Sequence, residues 1–199
     1  MVIGEHFVWG HLPKTGGEAT RAMFQLLPEL VVYADESHTF EQHTTFIERE
    51  ERVRGKMLAL NIRRLPSWVL SREQHKARWG VHPDYEPVPM ASAEEVCERS
   101  FPDWRLSGFL QNGLYPVDFW LRVESLVEDF LGFAGRFTDV DDERRQQIAA
   151  IGPVNQNEYE HDVWAWLTPG QVERLYAANP VWSSVEKHVY GNLLVPQHA

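Results

Sequence analysis

Lys14, Gly16 and Gly17 lie between an apolar run, Phe7-Val8-Trp9, and a segment in which Ala19, Ala22, Met23, Leu26 and Leu27 recur at the spacing of one helical face. An ammonium and two glycines at a strand-to-helix turn are suited to binding an anion. Unpaired N–H groups and the positive end of the helix dipole face such a loop, and glycines let a phosphate approach the main chain. The usual nucleotide-triphosphate loop has a glycine directly before its lysine. Here Pro13 precedes Lys14 and Thr15 follows it, so half of that pattern is met.

A second cationic group follows another apolar run. Met57-Leu-Ala-Leu-Asn-Ile62 leads into Arg63-Arg64-Leu-Pro66-Ser-Trp68-Val-Leu-Ser71. Ligands of open α/β sheets bind beyond the carboxyl ends of the strands, which puts Arg63 on the same expected edge as the Lys14 loop. A guanidinium can hold a phosphate through two parallel hydrogen bonds, and Ser71 would add a hydroxyl. Two cationic sites on one edge are expected to share one anionic ligand. Taken singly, the bland reading of each is a strand-to-helix turn and a solvated arginine pair.

The third constellation is Asp35-Glu36-Ser-His38-Thr-Phe-Glu41-Gln-His43-Thr-Thr45, which opens after an expected strand. Removing a proton from an attacking alcohol or amine at neutral pH suits an imidazole. His43 and His38 are both candidates. A loop histidine is otherwise an ordinary surface residue.

Strand-like runs at 7–12, 30–34, 57–62 and 117–123 alternate with helical patterns at 18–27, 44–54, 67–79, 93–101, 126–133, 142–151 and 169–190, the last with an expected break at Asn179-Pro180. This alternation predicts an α/β fold with a mainly parallel central sheet covered by helices. The uniformly apolar 57–62 run reads as a strand buried on both faces. The proline-rich 82–89 stretch reads as a surface loop that could wall an acceptor pocket. Arg122 and Glu124 are expected on one strand face, in a structural role, paired with each other or with neighbours, while the polar 155–161 stretch reads as a loop. Trp164, Trp166, Tyr176, Trp182 and Tyr190 read as packing residues. His161, His188, His198 and Cys97 have no metal-ligand spacing, so no metal is expected.

With 199 residues, 43% of them apolar, the chain is long enough for one domain spanning 1–199. A net charge of −10 argues against nucleic acid or an anionic membrane as partner, so cations serving an anionic ligand must be gathered locally. One cysteine allows no internal disulfide, and no run approaches the roughly 18 apolar residues of a membrane span. The expected location is cytoplasmic.

Pro13-Lys14-Thr15-Gly16-Gly17 resembles the signature of the sulfotransferase family, whose loop grips the 5′-phosphosulfate of 3′-phosphoadenosine 5′-phosphosulfate (PAPS). Arg63 and Ser71 keep the family's eight-residue spacing of 3′-phosphate ligands, although Trp68 stands where a second arginine is frequent. His43-Thr44-Thr45 is similar to a His-x-Thr element of bacterial and carbohydrate sulfotransferases, and Arg122-Val-Glu124-Ser-Leu126 to an Arg-x-Glu-x-Leu segment. Glu18-Ala19-Thr20 replaces the family's immediate hydroxyl after the second glycine. The resemblance implies a three-layer α/β/α, P-loop NTPase-like fold and a PAPS-dependent transferase of the bacterial cytoplasmic branch. Its nucleotide-binding residues would be Lys14, Thr15, Gly16, Gly17, Thr20, Arg63 and Ser71. Lys14 would stabilise the leaving group, and His43, favoured by the His-x-Thr element over His38, would act as base; other branches of the superfamily use glutamate, which makes Glu36, Glu41 and Glu18 alternatives. The acceptor would be a small molecule or carbohydrate. The alternatives are a P-loop small-molecule kinase and a non-catalytic nucleotide-binding relative.

Overall fold

The computed structural model describes residues 1–36, 43–80, 86–111, 116–152, 154 and 158–195. It divides into two compact units, one of Met1–Ile62 with Ser107–Asn155, the other of Arg63–Leu106 with Gln156–Ala199.

The first unit is α/β. Its mixed five-stranded sheet is built from β1 (Val2–Ile3), β2 (Phe7–Gly10), β3 (Tyr33–Ala34), β4 (Met57–Ile62) and β5 (Phe119–Arg122) in the order β3-β1-β2-β4-β5. β2, β4 and β5 pair in parallel, while β1 is antiparallel to both its neighbours, so β1 alone among these strands runs against the rest. Gly10 lies opposite Leu60. The carboxyl ends of β2 and β4 are therefore side by side.

β4 forms over the residues its apolar run predicts, and Leu58 through Ile62 are all buried between two flanking strands. The expected 30–34 strand is cut to Tyr33–Ala34, because Pro28 opens a 3-10 turn over Pro28–Leu30. β1 is an addition to the expected set. Helices α1 (Gly17–Gln25), α6 (Leu126–Ala134) and α7 (Asp142–Ala149) contribute buried side chains to the core of this unit. In that core Phe7 meets Phe133 edge-on at 5.0 Å and Phe24 meets Phe130 at 5.0 Å. Each such ring contributes about 1.5–3 kcal/mol through burial and about 1 kcal/mol through its aromatic contacts. The expected 44–54 helix is instead a 3-10 turn, Ile47–Arg49, followed by the single turn α2 (Glu50–Val53).

The second unit is helical, with α3 (Leu65–Trp79), α4 (Ala93–Cys97), α8 (Pro169–Ala178) and α9 (Pro180–Tyr190). α5 (Phe101–Leu110) carries the chain out of it. The break at Asn179-Pro180 forms as expected. Buried Asn179 donates from its amide to the carbonyls of Arg99 and Leu175, both at 2.8 Å, and the Asp103 carboxylate accepts from the N–H groups of Val181 and Trp182 at 2.8 and 2.7 Å. Those bonds satisfy the exposed donors of the α9 start. Trp68 packs against Trp182 at 4.9 Å and Phe101 at 6.3 Å, forming the aromatic centre of this unit. Among the described residues no helix is long and apolar enough to cross a membrane.

Candidate functional site

The chain leaves β2 at Gly10, buries His11 and Leu12, and turns into α1 through two left-handed residues, Lys14 at φ 64° and Gly16 at φ 77°. A lysine in that region costs about 1–2 kcal/mol, so the surrounding contacts must hold it there. Gly16 is the residue before α1 and has no side-chain cap, which leaves the cradle at the helix start to backbone N–H groups. Successive N–H groups in such a turn form an anion-binding concavity.

Contacts inside the first unit fix the loop. The Thr15 hydroxyl donates to the Leu12 carbonyl at 2.6 Å; the Thr20 N–H and hydroxyl both donate to the Gly16 carbonyl, at 3.0 and 3.2 Å. Both threonines are fully buried. Their hydroxyl protons serve the loop itself. Beneath it, buried Asn61 of β4 donates to the Thr15 carbonyl at 2.7 Å and to the Thr20 hydroxyl at 2.8 Å, while its side-chain oxygen accepts from Trp9 Nε1 at 2.6 Å. All three bonds lie in a low-dielectric interior, where a satisfied polar network holds a single geometry.

The structure brings His43 against the same turn. Its Nδ1 lies 3.1 Å from the His11 carbonyl oxygen, and the two imidazole rings are 4.6 Å apart. A carbonyl only accepts, so Nδ1 carries the proton and Nε2 is the basic nitrogen. The segment leading to His43 starts at Asp35, whose buried carboxylate pairs with the Met1 ammonium at 3.1 Å and Arg49 at 3.4 Å and accepts from the Tyr33 hydroxyl at 2.8 Å. The Asp35 carbonyl accepts from the buried Arg21 of α1. After His43, the Thr45 N–H and hydroxyl both donate to Glu48 at 2.6 Å.

His11 itself is buried, stacks on Trp9 at 5.5 Å, and has a ring Nδ1 without a hydrogen-bond partner among the described residues. Burial pushes its imidazole well below the ordinary histidine range, and positive charge on His43, the Met1 ammonium, Arg21 and Lys14 acts in the same direction. His11 is neutral at pH 7. Glu18 lies half-buried in the first turn of α1, where the dipole favours a carboxylate and where that carboxylate opposes an incoming anion.

In the second unit, Arg63 opens the chain after β4. Its Nε is buried with no acceptor among the described residues, and its carbonyl accepts from Trp182 Nε1 at 3.1 Å. Ser71 is buried in α3. Arg64, which sequence reasoning grouped with Arg63, is engaged internally: it donates to Glu186 at 3.0 Å and to Asn192, and covers the Tyr190 ring at 4.0 Å. Trp68 is a core residue of this unit, which accounts for an indole at that position.

β5 ends at Arg122 and Glu124 lies in a 3-10 turn, so the two do not share a strand face. Arg122 forms a two-pronged pair with a neighbour, Asp129, at 2.7 and 2.9 Å. His38, Glu41, the 155–157 part of the polar stretch, the 82–85 part of the proline-rich stretch and His198 lie outside the described residues. Among the described residues no group of three or more His, Cys, Asp or Glu is placed to hold a metal ion.

Sequence reasoning passed over Asn61 and His11. The signal for Asn61 was available: it is the one polar residue inside an otherwise apolar central strand. Comparison with protein-family models, with curated proteins and with solved structures finds no match to this chain.

Proposed function

We propose that this chain is a PAPS-dependent sulfotransferase of P-loop-like fold that transfers a sulfuryl group to a hydroxyl or amine of a small-molecule or carbohydrate acceptor. The observation that carries the reading is the Lys14–Gly17 turn at the start of α1, with left-handed residues at 14 and 16 and His43 held beside it. The residues fit the group. The turn leaves main-chain donors for a 5′-phosphosulfate, and among the described residues the buried Nε of Arg63 has no acceptor, which supports a phosphate as its partner. The sequence resemblance assigns the 3′-phosphate to Arg63 and Ser71.

PAPS supplies the sulfuryl group, with the 5′-phosphate as its leaving group. Lys14 and the loop N–H groups neutralise charge on that leaving oxygen, a fixed electrostatic role that needs no rearrangement. His43 takes the acceptor proton at Nε2, the nitrogen left basic by the bond from Nδ1 to the His11 carbonyl. Catalysis then rests mainly on positioning and charge neutralisation, as in phosphoryl transfer.

The test is calorimetric titration with adenosine 3′,5′-bisphosphate, followed by transfer from radiolabelled PAPS across a panel of sugar, phenol and amine acceptors. Tight binding and a labelled product support the reading. Binding without transfer indicates a non-catalytic relative, and magnesium-dependent ATP turnover indicates a kinase.

A further inference from the structure

We propose that His11 is the positioning residue of this site, its imidazole acting as a wedge that sets the shape of the Lys14 loop and, through the main-chain carbonyl which that loop carries, fixes which nitrogen of His43 is basic. The inference rests on the reading above only in calling His43 the base. Its physical content concerns the chain alone.

The His11 ring occupies the space over Gly17. A Cβ added at Gly17 would overlap Nε2, Cδ2 and Cε1 of that ring, so glycine at this position is required by the protein's own histidine before any ligand arrives. Gly17 is the first residue of α1, and the wedge therefore bears on the part of the helix that faces an anion. Behind the ring, Trp9 stacks at 5.5 Å with planes 20° apart, and the same indole donates to Asn61, which holds the Thr15 carbonyl. In front, the ring lies 4.6 Å from His43 while the His11 carbonyl receives the His43 Nδ1 proton. One residue thereby touches both halves of the chemistry.

The residue type carries the argument further. Among the described residues the buried ring Nδ1 has no hydrogen-bond partner, a desolvation cost that an apolar ring would avoid. Burial keeps the ring uncharged beside His43, the Met1 ammonium, Arg21 and Lys14, so it fills the space over Gly17 as a neutral group. Neutral histidine in water prefers its proton on Nε2. At His43 the 3.1 Å approach of Nδ1 to the His11 main-chain carbonyl, which only accepts, favours the proton on Nδ1, so the tautomer follows from where that carbonyl is held.

Two measurements on the full chain test this without any nucleotide. Long-range ¹H–¹⁵N correlation reads the His43 tautomer directly: the wild type is expected in the Nδ1–H form, and His11→Ala, which keeps the carbonyl but removes the ring that holds it in place, is expected to shift it toward Nε2–H. An unchanged Nδ1–H pattern in His11→Ala overturns the positioning role. Thermal unfolding reads the wedge: Gly17→Ala is expected to lower the midpoint by several degrees, and adding His11→Ala to recover most of that loss. A double variant no more stable than Gly17→Ala overturns the wedge. Because neither readout involves PAPS, failure of the sulfotransferase reading and failure of this inference are separable.

Discussion

Asn61 and Thr20, 41 residues apart, are joined by a 2.8 Å bond from the asparagine amide to the threonine hydroxyl, which in turn donates to the Gly16 carbonyl. A side chain from the central strand thus holds the helix that follows the Lys14 turn. Asn61→Leu keeps the volume and leaves Trp9 Nε1 and the Thr15 carbonyl without partners. The expected loss is about 3 kcal/mol, read by denaturant unfolding. A loss within experimental error would mean that the network does not hold the loop.

His43→Ala is expected to lower kcat about 10²- to 10⁴-fold with bisphosphate affinity retained, since the base acts on the acceptor proton and not on the nucleotide. His43→Gln is expected to rescue nothing, because an amide is not basic. The measurement is steady-state transfer alongside calorimetric binding. Unaltered kcat would move the base to another group.

Glu18→Gln removes a carboxylate from the start of α1. It is expected to raise affinity for adenosine 3′,5′-bisphosphate about two- to fivefold at low salt, with the gain shrinking as salt screens the charge. The same substitution slightly lowers helix stability, since that carboxylate complements the dipole. An affinity unchanged at low salt would place the anion away from this helix end.

Glu73 gives a pH test of the helical unit. Burial pushes its carboxyl upward, but the Lys76 ammonium at 2.9 Å, the Ala91 N–H and Arg72 at 2.9 Å together hold it below the ordinary carboxylate range. The folded value lies below the unfolded one, so the stabilisation is complete above about pH 4.5 and is lost as pH falls through the folded value. Glu73→Gln is expected to cost about 3 kcal/mol at pH 7 and to flatten the acid limb below pH 4.5, measured by urea unfolding at several pH values. A parallel acid limb in the variant would assign that limb to other groups.

How much of this was legible depended on local chemistry. β4 was readable to the residue because burial on both faces leaves an unbroken apolar run, and the α8–α9 break because Pro180 can begin a helix but not continue one. β1 has two residues and carries no period to detect. α5 was missed because Phe101–Leu110 spreads apolar residues around the helix instead of along one face. The expected 93–101 helix ends at Cys97 and a new one begins at Phe101. The Lys14 turn was visible as a pattern of residue types. Its support was not, since the Asn61 network joins residues 46 and 41 positions apart, and the His11–His43 contact spans 32.

The most direct measurement is calorimetric titration of the wild type, Lys14→Ala and Arg63→Ala with adenosine 3′,5′-bisphosphate and with AMP. The wild type is predicted to prefer the bisphosphate, Arg63→Ala to lose that preference while still binding AMP, and Lys14→Ala to weaken both nucleotides. Equal affinity of the wild type for the two ligands, or an equal loss for both in Arg63→Ala, would contradict the account.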